Sequence, residues 1–115
     1  MTRVNVFRKN ARIVGFEVTG HTGYAEAGSD IVCSAISALT QTAAAGVSEY
    51  LSIDCVTETD DGRLKFELGH SISDNECAKA EIILETMVLG LKSIADGYGK
   101  YLKIIEREVK LDDEH

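Results

Sequence analysis

Twice along this chain a pair of short alternating segments meets at a turn and is then followed by a long run at helical spacing. That repeated order limits the fold more than any other feature. Residues 3–8 and 12–19 alternate apolar and polar side chains, as in Val14-Gly15-Phe16-Glu17-Val18, with Lys9-Asn10-Ala11 between them. Alternation is the period of a strand with one buried face, so the pair reads as a β-hairpin. Residues 53–57 and 64–68 repeat the pattern around Asp60-Asp61-Gly62, whose Asp-Gly step supplies the positive φ angles of a tight turn.

Between the hairpins, Ile31, Ala35, Leu39, Ala43, Val47 and Leu51 fall on or near one helical stripe, which predicts a helix over 31–51. Its wealth of Ala, Ser, Thr and Gly lets another backbone approach closely, so this helix is expected to be the buried one, packed against the sheet. A second helix is announced by Ser73 and Glu76, a Ser-x-x-Glu capping box. Ile83, Met87, Leu91 and Ile94 continue it until Gly97 and Gly99. Residues 101–109 read as a last strand. The order β-β-α-β-β-α-β gives an α+β fold, two helices packed on a mostly antiparallel sheet, as a single domain over 1–110 with an acidic tail over 111–115.

A chain of 115 residues, 44% hydrophobic and 27% charged, buries enough surface to fold without a metal or disulfide staple. The net charge of −7 argues against direct nucleic-acid binding, which rests on Lys and Arg displacing counterions, and suits a basic polypeptide partner better. Cys33, Cys55 and Cys77 are an odd number at wide spacing, with no Cys-x-x-Cys and no paired His, so free thiols are expected, with no metal and no cofactor. Glu, Lys or Asp is expected to break the apolar stretches and no signal peptide is visible, which predicts a cytoplasmic protein without a membrane partner.

Chemistry gathers at residues 20–33, Gly-His-Thr-Gly-Tyr-Ala-Glu-Ala-Gly-Ser-Asp-Ile-Val-Cys, where a histidine stands at the mouth of a glycine-rich loop and Cys33 at the expected start of a helix. Unpaired N–H groups at a helix start, together with a nearby imidazole, favour the thiolate over the thiol. Residues 73–77 repeat the Ser-Asp-x-x-Cys pattern of 29–33, and His70 precedes them. There Asp74 and Glu76 oppose a thiolate, whereas Asp30 or Ser29 is expected to be occupied as a helix cap. The ordinary reading of a free cysteine is a small buried hydrophobe, which describes Cys55 within its strand best.

The residues Gly20-His21, Gly23-Tyr24-Ala25, Gly28, Asp30, Ile31-Val32-Cys33-Ser34-Ala35 and Ser37 together resemble the signature of the ribosomal-processing cysteine protease family called Prp, and the likeness covers nearly the whole chain. The resemblance implies His21 and Cys33 as a catalytic dyad. It implies a cytoplasmic homodimer that removes a short N-terminal extension from a large-subunit ribosomal protein. Gly20, Gly23 and Gly28 would serve as hinges of a gating loop, Asp30 as a cap or as an orienting group for His21, and Ser37, one turn after Cys33, as a contact for substrate or loop. Helix-start N–H groups, that of Cys33 included, are expected to hold the oxyanion.

Two other readings stand beside this one. In a non-catalytic ribosome-associated binding module Cys33 would merely pack, and Cys33→Ala would leave function intact. A thiol peroxidase or redox sensor would want a resolving thiol and a nearby cation, and the loop holds neither.

Overall fold

Asn10 and Ala11 both adopt positive φ, 51° and 69°, and this two-residue turn joins β1 (Thr2–Lys9) to β2 (Arg12–Thr19) as an antiparallel hairpin. The computed structural model describes residues 1–20 and 27–109, leaving out the side chains of 27–30, so His21, Gly23 and the acidic tail over 111–115 lie outside the described residues. The second hairpin pairs β3 (Cys55–Asp60) with β4 (Arg63–Leu68), and Gly62 turns it at φ 68°. Its first strand starts and ends later than the alternation over 53–57 predicts. Ile53 is a buried lead-in whose N–H donates to the Val47 carbonyl at 3.0 Å.

The sheet runs β3-β4-β2-β1-β5, and only β5 (Leu102–Glu108) is parallel to its neighbour β1. This is the expected α+β arrangement with a mostly antiparallel sheet. Val4, Val6, Phe16 and Phe66 are fully buried on one face, and the two phenylalanine rings stack 5.2 Å apart. Each such side chain contributes about 1.5–3 kcal/mol by leaving water.

Two helices close that face. α1 (Ala27–Ala45) continues as a π-helical turn over Gly46–Tyr50, so the run expected to 51 is helical but widens in its last turn, where the Leu51 N–H reaches the Gly46 carbonyl at 2.9 Å. α2 (Asp74–Tyr98) starts on the predicted capping box: Ser73 Oγ accepts from the Glu76 N–H at 3.1 Å, and the Ser73 N–H donates to Glu76 Oε1 at 3.0 Å. Ala80, Leu84, Met87, Val88 and Leu91 form its buried stripe. Gly90 faces the end of the Leu39 side chain where α2 meets α1.

Two expectations for the first helix need correction. The segment Ile31–Tyr50 is long and apolar enough, by length and composition, to cross a membrane, and Glu49 is its only acidic or basic residue. Charge therefore does not interrupt every apolar stretch. In the fold its inward stripe of Val32, Ile36, Thr40, Ala43 and Val47 is buried in the core, with the Thr40 hydroxyl donating back to the Ile36 carbonyl at 2.8 Å. Nor is it buried all round: Ile31, Ser34, Ala35, Ser37 and Ala38 are exposed. Small side chains here serve contact with α2 and an uncharged outer face.

Candidate active site

Cys33 belongs to α1, and the helix carries it to one end of the sheet, where β1 begins, β2 ends and the β3–β4 hairpin turns. A groove of about 310 Å³ opens there, lined by Thr2, Val18, Cys33, Ser37, Gln41 and Arg63 among others. Cys33, Ser37 and Gln41 recur at intervals of four residues, which sets them on one side of the helix along the groove. Ile36 and Leu64 give the groove an apolar floor, and Thr59, Asp60 and Gly62 form its far wall.

The sulfur of Cys33 lies 3.5 Å from the hydroxyl of Thr2. Cys33 is half-buried, with a free thiol. Thr2 is 6% exposed, and its N–H donates to the Tyr101 carbonyl at 2.9 Å, so the hydroxyl is carried by a strand with neighbours on both sides. Charge in the groove comes from Asp60 and Arg63. Arg63 is committed to Glu17 at 2.6 Å and to Asp60 at 3.7 Å, which leaves the groove without an unpaired cation among the described residues.

Gly20 ends the first hairpin beside this point. Its φ of 89° suits glycine, and a Cβ there would run into the carbonyl oxygen of Met1. The chain thus leaves β2 tightly against the residues that precede and include Thr2. Glycine is needed at position 20 for close approach and for backbone conformation.

The helix start differs from the expectation. α1 begins at Ala27, so Ser29 and Asp30 are inside its first turn and neither is its cap, while Gly28 is helical. Cys33 is the seventh helical residue. Its N–H therefore falls within the i→i−4 ladder and is not one of the open donors that an oxyanion requires. An acidic residue in the first turn of a helix complements its positive end, which suits the position of Asp30 in α1.

The other cysteines separate cleanly. Cys55 opens β3, and burial, then the charge of Asp54, pushes its thiol above the usual range. Cys77 lies at the opposite end of the sheet, in a depression of about 810 Å³ that also holds His70, Asp74, Lys9 and Arg12. The larger cavity is thus not the one that contains Cys33. Among the described residues no group of three His, Cys, Asp or Glu is arranged to hold a metal ion.

The groove brings together Cys33 and Ser37, both singled out from the sequence, and adds Thr2 and Gln41, which were not. Gln41 was within reach, because it continues the four-residue spacing by one more turn. Thr2 was not: nothing in the sequence brings the first strand beside the first helix until the strand order is known.

The family model for cysteine protease Prp matches residues 1–103. Ribosomal processing cysteine protease Prp of Bacillus subtilis is 30% identical over 94 residues, which cover 80% of this chain and 84% of that protein. Two crystal structures of an essential ribosomal processing protease Prp from S. aureus are similar in fold. The one in complex with a substrate peptide has a TM-score of 0.81 at 22% identity, and the one with a covalently linked product peptide 0.78 at 23%. Each comparison covers 93% of this chain and 100% of the other.

Proposed function

The chain belongs to the cysteine protease Prp family, and from that premise we propose that it removes a short N-terminal extension from a large-subunit ribosomal protein during ribosome assembly. Cys33 is the nucleophile and His21 the general base in this reading. The carrying observation is that Cys33 opens onto a groove between α1 and the β3–β4 hairpin, with its sulfur against a buried hydroxyl. The B. subtilis relative is named for ribosomal processing, which supports the substrate class.

His21 takes the thiol proton, and the thiolate attacks the scissile carbonyl to give a tetrahedral intermediate. Collapse of that intermediate expels the amine, to which His21 returns the proton, and water then hydrolyses the thioester. Gly20, which precedes His21 in sequence, supports the pairing: it packs against Met1 and Thr2, at the start of the strand whose hydroxyl touches the sulfur. Gly23 is proposed to give the loop before α1 the freedom to close over a peptide, whereas Gly28 belongs to the first turn of that helix. Asp30 is proposed to orient His21, and Ser37 to contact the bound chain. The family resemblance further supports a cytoplasmic homodimer.

The test is incubation with a large-subunit ribosomal precursor that carries its N-terminal extension, followed by intact-mass measurement. Loss of one N-terminal peptide is expected, and Cys33→Ala is expected to lower the rate by about a thousandfold or more. A precursor that binds but keeps its mass would favour the non-catalytic binding module instead.

A further inference from the structure

We propose that Thr2 is a positioning residue for the Cys33 thiolate: its buried hydroxyl donates to the sulfur and holds it at the head of the groove. This rests on the reading of Cys33 as the nucleophile. The observation behind it is a pairing that strand geometry alone does not require. Thr2 is one of two buried polar residues among those described. The other, Thr40, satisfies its hydroxyl by donating to a carbonyl of its own helix. The Thr2 hydroxyl has no such local partner, and its one hydrogen-bond contact among the described residues is Cys33 Sγ, at 3.5 Å.

A hydroxyl buried without a partner is costly, so a threonine at this point is sustained by the sulfur it meets. The contact is worth more to one ionisation state than to the other. A neutral thiol is a weak acceptor, whereas hydrogen bonds to ionised groups are shorter and roughly twice as strong as neutral ones. The Thr2 hydroxyl therefore favours the form of Cys33 that attacks a carbonyl. It also restricts the direction of the sulfur, because β1 is fixed between β2 and β5 and the Thr2 N–H is tied to the Tyr101 carbonyl at 2.9 Å. A nucleophile aimed by a neighbour on a rigid central strand needs less reorganisation when the peptide arrives.

Among the described residues, the remaining influences on the sulfur are few. The charged groups lining the same groove are Asp60 and Arg63, from the β3–β4 hairpin, and they pair with each other. β1 and β2 supply Thr2, Val18 and Thr19, and α1 supplies Ile36, Ser37 and Gln41. Met1 lies one residue before Thr2 in sequence, and His21 one residue after Gly20.

Thr2→Val keeps the shape and β-branching of the side chain and removes only its donor. The measurement is the rate of iodoacetamide labelling of Cys33, resolved by peptide mass, across pH 5 to 10, with cleavage kinetics and a melting curve on the same variants. Thr2→Val is expected to slow the labelling of Cys33 at neutral pH by up to about tenfold, or about 1.4 kcal/mol. It should lower kcat with little change in KM, and Thr2→Ser should restore both. A merely structural threonine predicts a changed melting temperature with the labelling profile intact. A wild-type profile in Thr2→Val, or a shift that Thr2→Ser fails to reverse, overturns the proposal. Retained cleavage by Cys33→Ala would instead overturn the nucleophile assignment, and the labelling profile would still decide the role of Thr2, since it reads the thiol itself.

Discussion

Residues 29–33 and 73–77 share one pattern, Ser-Asp-x-x-Cys, and fold into two different things. At 73–77 the serine is the N-cap, and Glu76, three residues on, returns the bond to its backbone. Cys77 is then the fourth residue of α2, its N–H donating to the Ser73 carbonyl at 2.9 Å. At 29–33 the residue three beyond the serine is Val32, which has no carboxylate to return and is buried at 2% exposure. Without reciprocity nothing stops the helix at Ser29, and α1 reaches back to Ala27. Cys33 is carried deeper into its helix and set against Thr2, while Cys77 stays near a helix end among acidic neighbours. The same five-residue pattern thus holds one cysteine near a helix start and another in the groove.

Exchange of sulfur for oxygen should break this comparison most forcefully. Cys33→Ser is expected to lose cleavage by about a thousandfold, because a hydroxyl is a far weaker nucleophile without a stronger base. Cys77→Ser is expected to keep wild-type turnover, since His70 and Cys77 line a depression at the other end of the sheet. Paired cleavage rates on one precursor decide it. A Cys77→Ser variant that lost activity while melting normally would move the active site to the larger cavity.

Much of the fold was legible because its signals are local. Turn chemistry at Asn10-Ala11 and Asp61-Gly62, alternation in β1, β2 and β4, and the capping box of α2 each act within a few residues, and each appears where the spacing put it. The position of Cys33 was legible as a member of the first helix but not as its seventh residue, because capping depends on whether a partner answers, and Val32 does not. Thr2 was invisible for a different reason. Its partner is 31 residues away, and the meeting depends on β1 being central and on α1 starting at the end of the sheet where β1 begins.

The capping difference itself can be sharpened by removing both serine hydroxyls. Ser73→Ala should destabilise the protein by about 1 kcal/mol, since it leaves the Glu76 N–H without its acceptor and breaks a reciprocal pair. Ser29→Ala should cost less than about 0.5 kcal/mol, because a serine inside a helical turn gives up no cap and alanine has the better helical propensity. Urea denaturation of the two variants measures the gap. Equal losses would mean that Ser29 does cap a helix and that α1 starts later than Ala27.

A smaller effect separates the two helices by the way they are fastened. α1 has no charged residue between Asp30 and Glu49, and Glu49 makes no ion pair among the described residues, so its hold on the protein is apolar. α2 adds charge: Arg8 of β1 reaches Glu85 at 2.6 Å and Glu106 of β5 at 2.7 Å. The hydrogen bond from Arg8 holds the Glu85 carboxyl below the usual range, against the opposing effect of burial, and the same guanidinium acts likewise on Glu106. A carboxyl whose folded value is lowered contributes stability that is fully present above its unfolded value, about 4.3, and is lost as pH falls through the folded value. Glu85 is 38% exposed, so solvent screening limits the expected loss in Glu85→Gln to about 0.5 kcal/mol at pH 7. The wild type should therefore melt above Glu85→Gln at pH 7 and pH 5, and the difference should close progressively below about pH 4. Glu49→Gln should follow the wild type throughout. A gap that persisted undiminished at pH 3 would show that Glu85 acts by packing instead of charge, and an equal gap for Glu49→Gln would erase the distinction between the helices.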